Sequence, residues 1–154
     1  MSSKKKIKQQ SMLYSYKIAN DTYSIMADKE IFPDGGSLTV VGSTVMALYC
    51  FLIAGFFSQS DPNFDIAQEI PLNYKKSLLE KGVPINEANI FIMSVNEAYN
   101  DFRGIAIKVQ EDSNNDIQVI VKALADRVVI YFHIENTESV NKAIQGYILD
   151  FLGQ

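Results

Sequence analysis

Apolar positions in this chain form one uninterrupted run and several periodic segments. The run from Leu38 to Phe57 contains no charged residue and is the longest apolar stretch. About 20 apolar residues in a helix match the hydrocarbon thickness of a bilayer, but a helix that is apolar all round also fits a protein core. A turn signal at residues 34–37 and a break at Gly42 favour a short strand at 38–41 and a buried core helix from about Val45 to Phe57.

The segment before this run predicts one helix. Residues 1–9 are polar and rich in lysine, which is typical of a frayed start. Residues 10–28 carry large apolar side chains at steps of three and four, as expected for one face of a helix. That face consists of Met12, Tyr16, Ala19, Tyr23 and Met26. A stripe of this kind predicts a packing surface rather than a cofactor site.

Two further helices are predicted after the apolar run. Asp61 can cap a helix whose first position is Pro62; Pro71 breaks or kinks that helix, and it ends near Gly82. A second helix fits Asn86 to Arg103, with Gly104 as its stop signal. Its apolar face predicts core positions for three large residues, which are Phe91, Val95 and Phe102.

Beyond Gly104 the apolar period changes from that of a helix to that of a strand. Alternating apolar residues at 105–110, 117–122 and 128–134 predict an antiparallel meander of three strands. A final helix at about 138–152, capped by Asn136 or Thr137, follows. The predicted fold is a single α+β domain over residues 1–154. Its helical N-terminal two-thirds surround the buried apolar helix, and the meander and C-terminal helix complete it.

Charge narrows the classes of partner. The 154-residue chain has a net charge of −4. Residues 1–36 are net positive and residues 59–154 are net negative, so the predicted body is acidic. An acidic body argues against a protein that reads the phosphate backbone of nucleic acid, and it suits a basic protein partner. The lone cysteine, Cys50, lies in the apolar run, where a buried and unreactive thiol is expected.

Little in the sequence indicates catalysis. His133 is the only histidine, so a multi-histidine metal site is excluded, and no serine or cysteine has the context of a nucleophile. No phosphate-binding glycine motif is present. We therefore expect no cofactor, no metal site and no enzymatic activity, with His133 dispensable. An enzyme that uses His133 or carboxylates remains the least favoured alternative.

The leading interpretation is a small cytoplasmic protein-binding module. Its most concrete form is an inhibitor or immunity-type antitoxin that neutralises a basic partner such as a nuclease toxin. The predicted partner-binding residues are five carboxylates and one aromatic anchor: Asp61, Asp65, Glu69, Glu97, Asp101 and Tyr131. The alternative is a single-span inner-membrane subunit of an assembly, with residues 38–57 crossing the bilayer and the N-terminus in the cytosol.

Overall fold

The computed structural model describes residues 3–57 and 61–153, and in these ranges the fold is all helical. The prediction of an α+β fold with a three-stranded meander is wrong, because no strand forms in this part of the chain. A π-helical turn at Ile53–Phe57 follows the second helix. The six α-helices are α1 Ser3–Ala27, α2 Leu38–Leu52, α3 Asp61–Glu80, α4 Ile85–Ser113, α5 Ile117–Phe132 and α6 Glu138–Phe151.

Helix α5 occupies the region predicted to hold the second and third strands. Asp116 caps it, its carboxylate accepting a hydrogen bond from the Gln118 amide at 3.0 Å. Strand alternation would place Val119 and Ile130 in the core, but both are exposed. The buried residues follow the helical period instead: Ile120, Val121, Leu124, Ala125, Val128, Val129 and Phe132.

Helix α4 passes through the residue that was expected to stop it. Gly104 lies inside the helix, and the predicted first strand at 105–110 is the C-terminal part of α4. Phe102 and Ala106 are buried one turn apart, so the apolar face continues across Gly104. A glycine ends a helix only where the backbone turns left-handed, and here the left-handed cap is Asn114.

Helix α2 lies at the centre of the fold. It begins at Leu38, with the Ser37 hydroxyl as its cap, so the predicted strand at 38–41 is also wrong. Every residue from Ser43 to Ile53 is buried, and α1, α3, α4 and α5 all pack against α2. The segment Leu38–Gly55 is long and apolar enough to cross a membrane, with 61% of it buried inside the protein. Core helices of soluble proteins have the same length and composition.

Helix α1 is confirmed as a helix, but its buried face is not the predicted one. It begins at Ser3, within the lysine-rich start. The buried positions are Ser11, Ile18, Asp21, Thr22 and Ile25. The predicted stripe lies beside this face, at the edge of the contact with α2. Helix α3 continues through Pro71, which excludes the break that was one of the two predicted effects of this proline.

Candidate functional site

An open groove lies where α1, α2, α3 and α4 meet. Its volume is about 650 Å³. Side chains of α1 and α3 form its walls, Leu38, Gly42 and Met46 of α2 contribute to its lining, and Phe91 of α4 also borders it. The Phe91 ring packs against Tyr74 with the ring centroids 5.0 Å apart. Phe91 is therefore only half-buried, whereas Val95 and Phe102 are buried as predicted.

The α1 wall of the groove carries large apolar side chains that remain accessible. Met12, Tyr16 and Tyr23 have exposed fractions of 48%, 63% and 60%. They belong to the stripe that the sequence predicts as a packing surface. The helical period placed them correctly on one face, and α3 and α2 leave that face uncovered along the groove. Exposed apolar residues that are contiguous, rather than scattered, indicate a place where something binds.

Gly42 leaves room at the α2 side of the groove. A Cβ atom there would lie 3.9 Å from Thr22 Cγ2 and 4.0 Å from both Leu38 Cδ1 and Phe91 Cε2. All three neighbours also line the groove. A side chain longer than alanine at this position would therefore extend into the space that a ligand would occupy. From the sequence, Gly42 was interpreted as a break between the predicted strand and the core helix, and this role was missed.

Two lysines supply the charged groups of the groove. Lys8 lines it from α1, and Lys81, which directly follows α3, lines it from the other wall. Among the described residues, no aspartate or glutamate lines the groove. The polar remainder consists of short side chains such as Ser15, Asn73 and Ser77. The groove is thus apolar and cationic within a protein of net negative charge.

The predicted partner-binding residues fall into two groups. On α3, Asp65 is exposed and Glu69 is half-buried, while the side chain of Asp61 lies outside the described part of the structure. On α4, Glu97 is exposed, and Asp101 lies one turn further along. Among the described residues, no hydrogen bond or ion pair joins Asp65 or Glu69 to the α4 group.

Asp101 and Tyr131 are in direct contact. The Tyr131 hydroxyl donates a hydrogen bond of 2.8 Å to Asp101, and Arg127 Nη1 lies 3.3 Å from the same carboxylate. Burial, together with the hydrogen bond to Asp101, raises the pKa of Tyr131 to about 12. The phenol therefore stays a donor at neutral pH. Arg127 offsets the charge of Asp101, which leaves Glu97 as the exposed carboxylate of this group.

His133 and Cys50 are the two residues that were considered for catalysis. His133 is exposed at the C-terminal end of α5 in a left-handed conformation, with φ 57°, and not on a strand. Cys50 is buried, and desolvation raises the pKa of its thiol to about 12. Within the described residues, no group of three or more His, Cys, Asp or Glu side chains is arranged to hold a metal ion.

Comparison of the chain with family models, with curated proteins and with solved structures gives no significant match. Two features of the molecule are therefore candidate binding sites: the groove, and the carboxylates Glu97 and Asp101 of α4.

Proposed function

We propose that this protein is a non-catalytic binding protein whose principal site is the groove between α1, α2, α3 and α4. The observation that carries the proposal is the set of exposed apolar side chains on its α1 wall, Met12, Tyr16 and Tyr23. Exposure of such side chains to water is unfavourable, and an apolar ligand bound in the groove would remove their surface from water. The volume of about 650 Å³ falls in the range typical of small-ligand sites.

The test uses a neutral apolar dye, N-phenyl-1-naphthylamine, whose fluorescence rises in apolar surroundings. We expect saturable binding with one dye per protein. Gly42→Leu should abolish binding, because its side chain would extend into the groove. Gly42→Ala is the matched control: its Cβ makes only ordinary contacts, so the dye should still bind. Absence of saturable binding, or equal binding by both variants, would overturn the proposal.

A second candidate function is the binding of a basic protein by the carboxylates Glu97 and Asp101 of α4. It is supported by the placement of Glu97, Asp101 and Tyr131 in one group on α4 and α5. An immunity-type inhibitor of a nuclease toxin remains the concrete form of this proposal, and cytoplasmic location goes with it. Carboxylates would steer a positive partner, and Tyr131 would anchor it.

This second candidate predicts a salt-sensitive partner. A pull-down from the native cell should recover a basic protein at low salt and less of it at high salt, since screening weakens exposed charges. Charge reversal by Glu97→Lys or Asp65→Lys should slow association, whereas Glu30→Lys, in the exposed loop after α1, should not. Recovery of membrane proteins alone, independent of salt, would favour the single-span subunit with residues 38–57 in the bilayer.

A further inference from the structure

The α1 wall of the groove carries one lysine. Lys8 lines the groove one turn before Met12, at the N-terminal end of that wall. Since no carboxylate of the described residues lines the groove, an anion at this end would meet only favourable charge.

The dimensions of the groove favour a slender ligand. Its α1 wall runs from Lys8 to Tyr23, which is ~22 Å at the rise of an α-helix. A helix of that length, with a diameter of about 10 Å, would occupy roughly 1,700 Å³. The groove offers about 650 Å³. It therefore holds an extended hydrocarbon chain along α1 more completely than it would hold a helix of a partner protein.

We infer that the groove binds a single long-chain carboxylate, with its hydrocarbon chain along Met12, Tyr16 and Tyr23 and its carboxylate at Lys8. This inference rests on the proposed function, since it names the ligand of the same groove. The apolar wall supplies affinity that grows with chain length. Lys8 selects an anionic headgroup over a neutral one by charge complementarity.

The inference is tested by displacement of the bound dye. Decanoate, dodecanoate, tetradecanoate and hexadecanoate are compared below their micellar concentrations with the alcohols of equal length. Each added methylene should tighten binding about fourfold until the groove is filled. The Lys8→Gln/Lys81→Gln double variant, which removes both lysines of the groove lining, should bind each carboxylate about 3- to 10-fold more weakly and each alcohol unchanged. High salt should weaken the binding of carboxylates only.

The matched control is Lys108→Gln/Lys142→Gln, which removes the same charge from exposed positions outside the groove lining. It should leave all affinities unchanged. Dye binding that depends on Gly42 but is not displaced by any carboxylate would overturn this inference and leave the proposed function standing. Equal affinity for alcohols and carboxylates would also overturn it, as would binding only to vesicles of anionic phospholipid. If the dye itself fails to bind, the proposed function fails first.

Discussion

Tyr49 shows how a polar group is accommodated in the centre of the apolar helix. It is buried, its hydroxyl donates a hydrogen bond to Asp21 of α1, and its ring stacks on Phe151 of α6 with the centroids 4.0 Å apart. Lys17 Nζ lies 3.2 Å from the same carboxylate. Desolvation and the bond to Asp21 raise the pKa of Tyr49 well above its usual range, so it remains a donor. One residue thus connects three helices.

Removing this donor should destabilise the protein. Tyr49→Phe keeps the ring stacking and deletes the hydroxyl, which leaves the buried Asp21 with one partner fewer. We expect the free energy of unfolding to fall by about 1–3 kcal/mol. Urea denaturation measures it. Tyr16→Phe, at an exposed tyrosine in the groove, should change stability by less than about 0.5 kcal/mol, and equal effects of the two variants would contradict this role.

The two aromatic residues of α4 should respond differently to truncation. Phe102 is fully buried, so Phe102→Ala should cost about 3–5 kcal/mol of unfolding free energy. Phe91 borders the groove and is half-buried, so Phe91→Ala should cost only about 1–2 kcal/mol, because fewer contacts are lost and water can fill the space. The same denaturation assay compares them. A larger loss for Phe91 would show that the groove is closed in solution.

Asp126, at the junction of α5 and α6, makes the stability of the protein depend on pH in the acid range. Desolvation alone would raise its pKa, but hydrogen bonds from Asn136, Lys122 and Asn141 together hold its pKa below the ordinary value. A depressed folded-state pKa contributes stability above the unfolded-state pKa, near 3.8, that is lost as pH falls through the folded-state value.

In the Asp126→Asn variant the free energy of unfolding should therefore decrease less below about pH 4 than it does in the wild type. Unfolding by urea at a series of pH values measures this. The control is Glu135→Gln, at an exposed carboxylate in the loop between the same helices, which should keep the wild-type acid dependence. An Asp126→Asn variant with an unchanged pH profile would show that the network does not favour the ionised form.

At the scale of elements, α1, the first part of α4 and α6 were predictable because their apolar residues keep steps of three and four. Helix α5 was not. Its many β-branched residues fit both the alternation of a strand and the period of a helix. Strand alternation assigned Val119 and Ile130 to the core, whereas the packing of α4 and α6 against α5 leaves both exposed. The stripe that contains Met12 and Tyr16 could also be predicted from the sequence. The sequence does not show that α2 and α3 leave this stripe uncovered along the groove.

Gly104 provides the decisive test of helix α4. It lies in the helix interior, exposed, and a Cβ there would meet nothing within 4 Å. Gly104→Ala should stabilise the protein by about 1 kcal/mol, because alanine loses less backbone entropy in a helix. Gly82→Ala is the matched contrast, since Gly82 has φ +87° and alanine would be strained there. Thermal unfolding of both variants checks this; destabilisation by Gly104→Ala would restore the predicted helix stop.

At the scale of the whole molecule, the fold is organised by α2. The other helices supply their apolar faces to it, and the same segment would satisfy a bilayer by length and composition. What distinguishes the two environments is the set of specific contacts. Tyr49 donates a hydrogen bond to a carboxylate of α1, so this buried polar group of α2 finds its partner in another helix of the protein.

We therefore expect the intact chain, expressed without detergent, to stay in the supernatant after ultracentrifugation. In that fraction Cys50 should react slowly with a water-soluble thiol reagent and rapidly in urea, because burial both shields the thiol and raises its pKa to about 12. A Ser24→Cys variant adds an exposed thiol on α1 and should react at once in the native protein.

Only the sedimentation experiment distinguishes a protein core from a bilayer, since a bilayer would also protect Cys50 from the reagent. A chain that sediments with membranes and is released only by detergent would establish residues 38–57 as a span, and the helices that enclose α2 here would then have to separate from it.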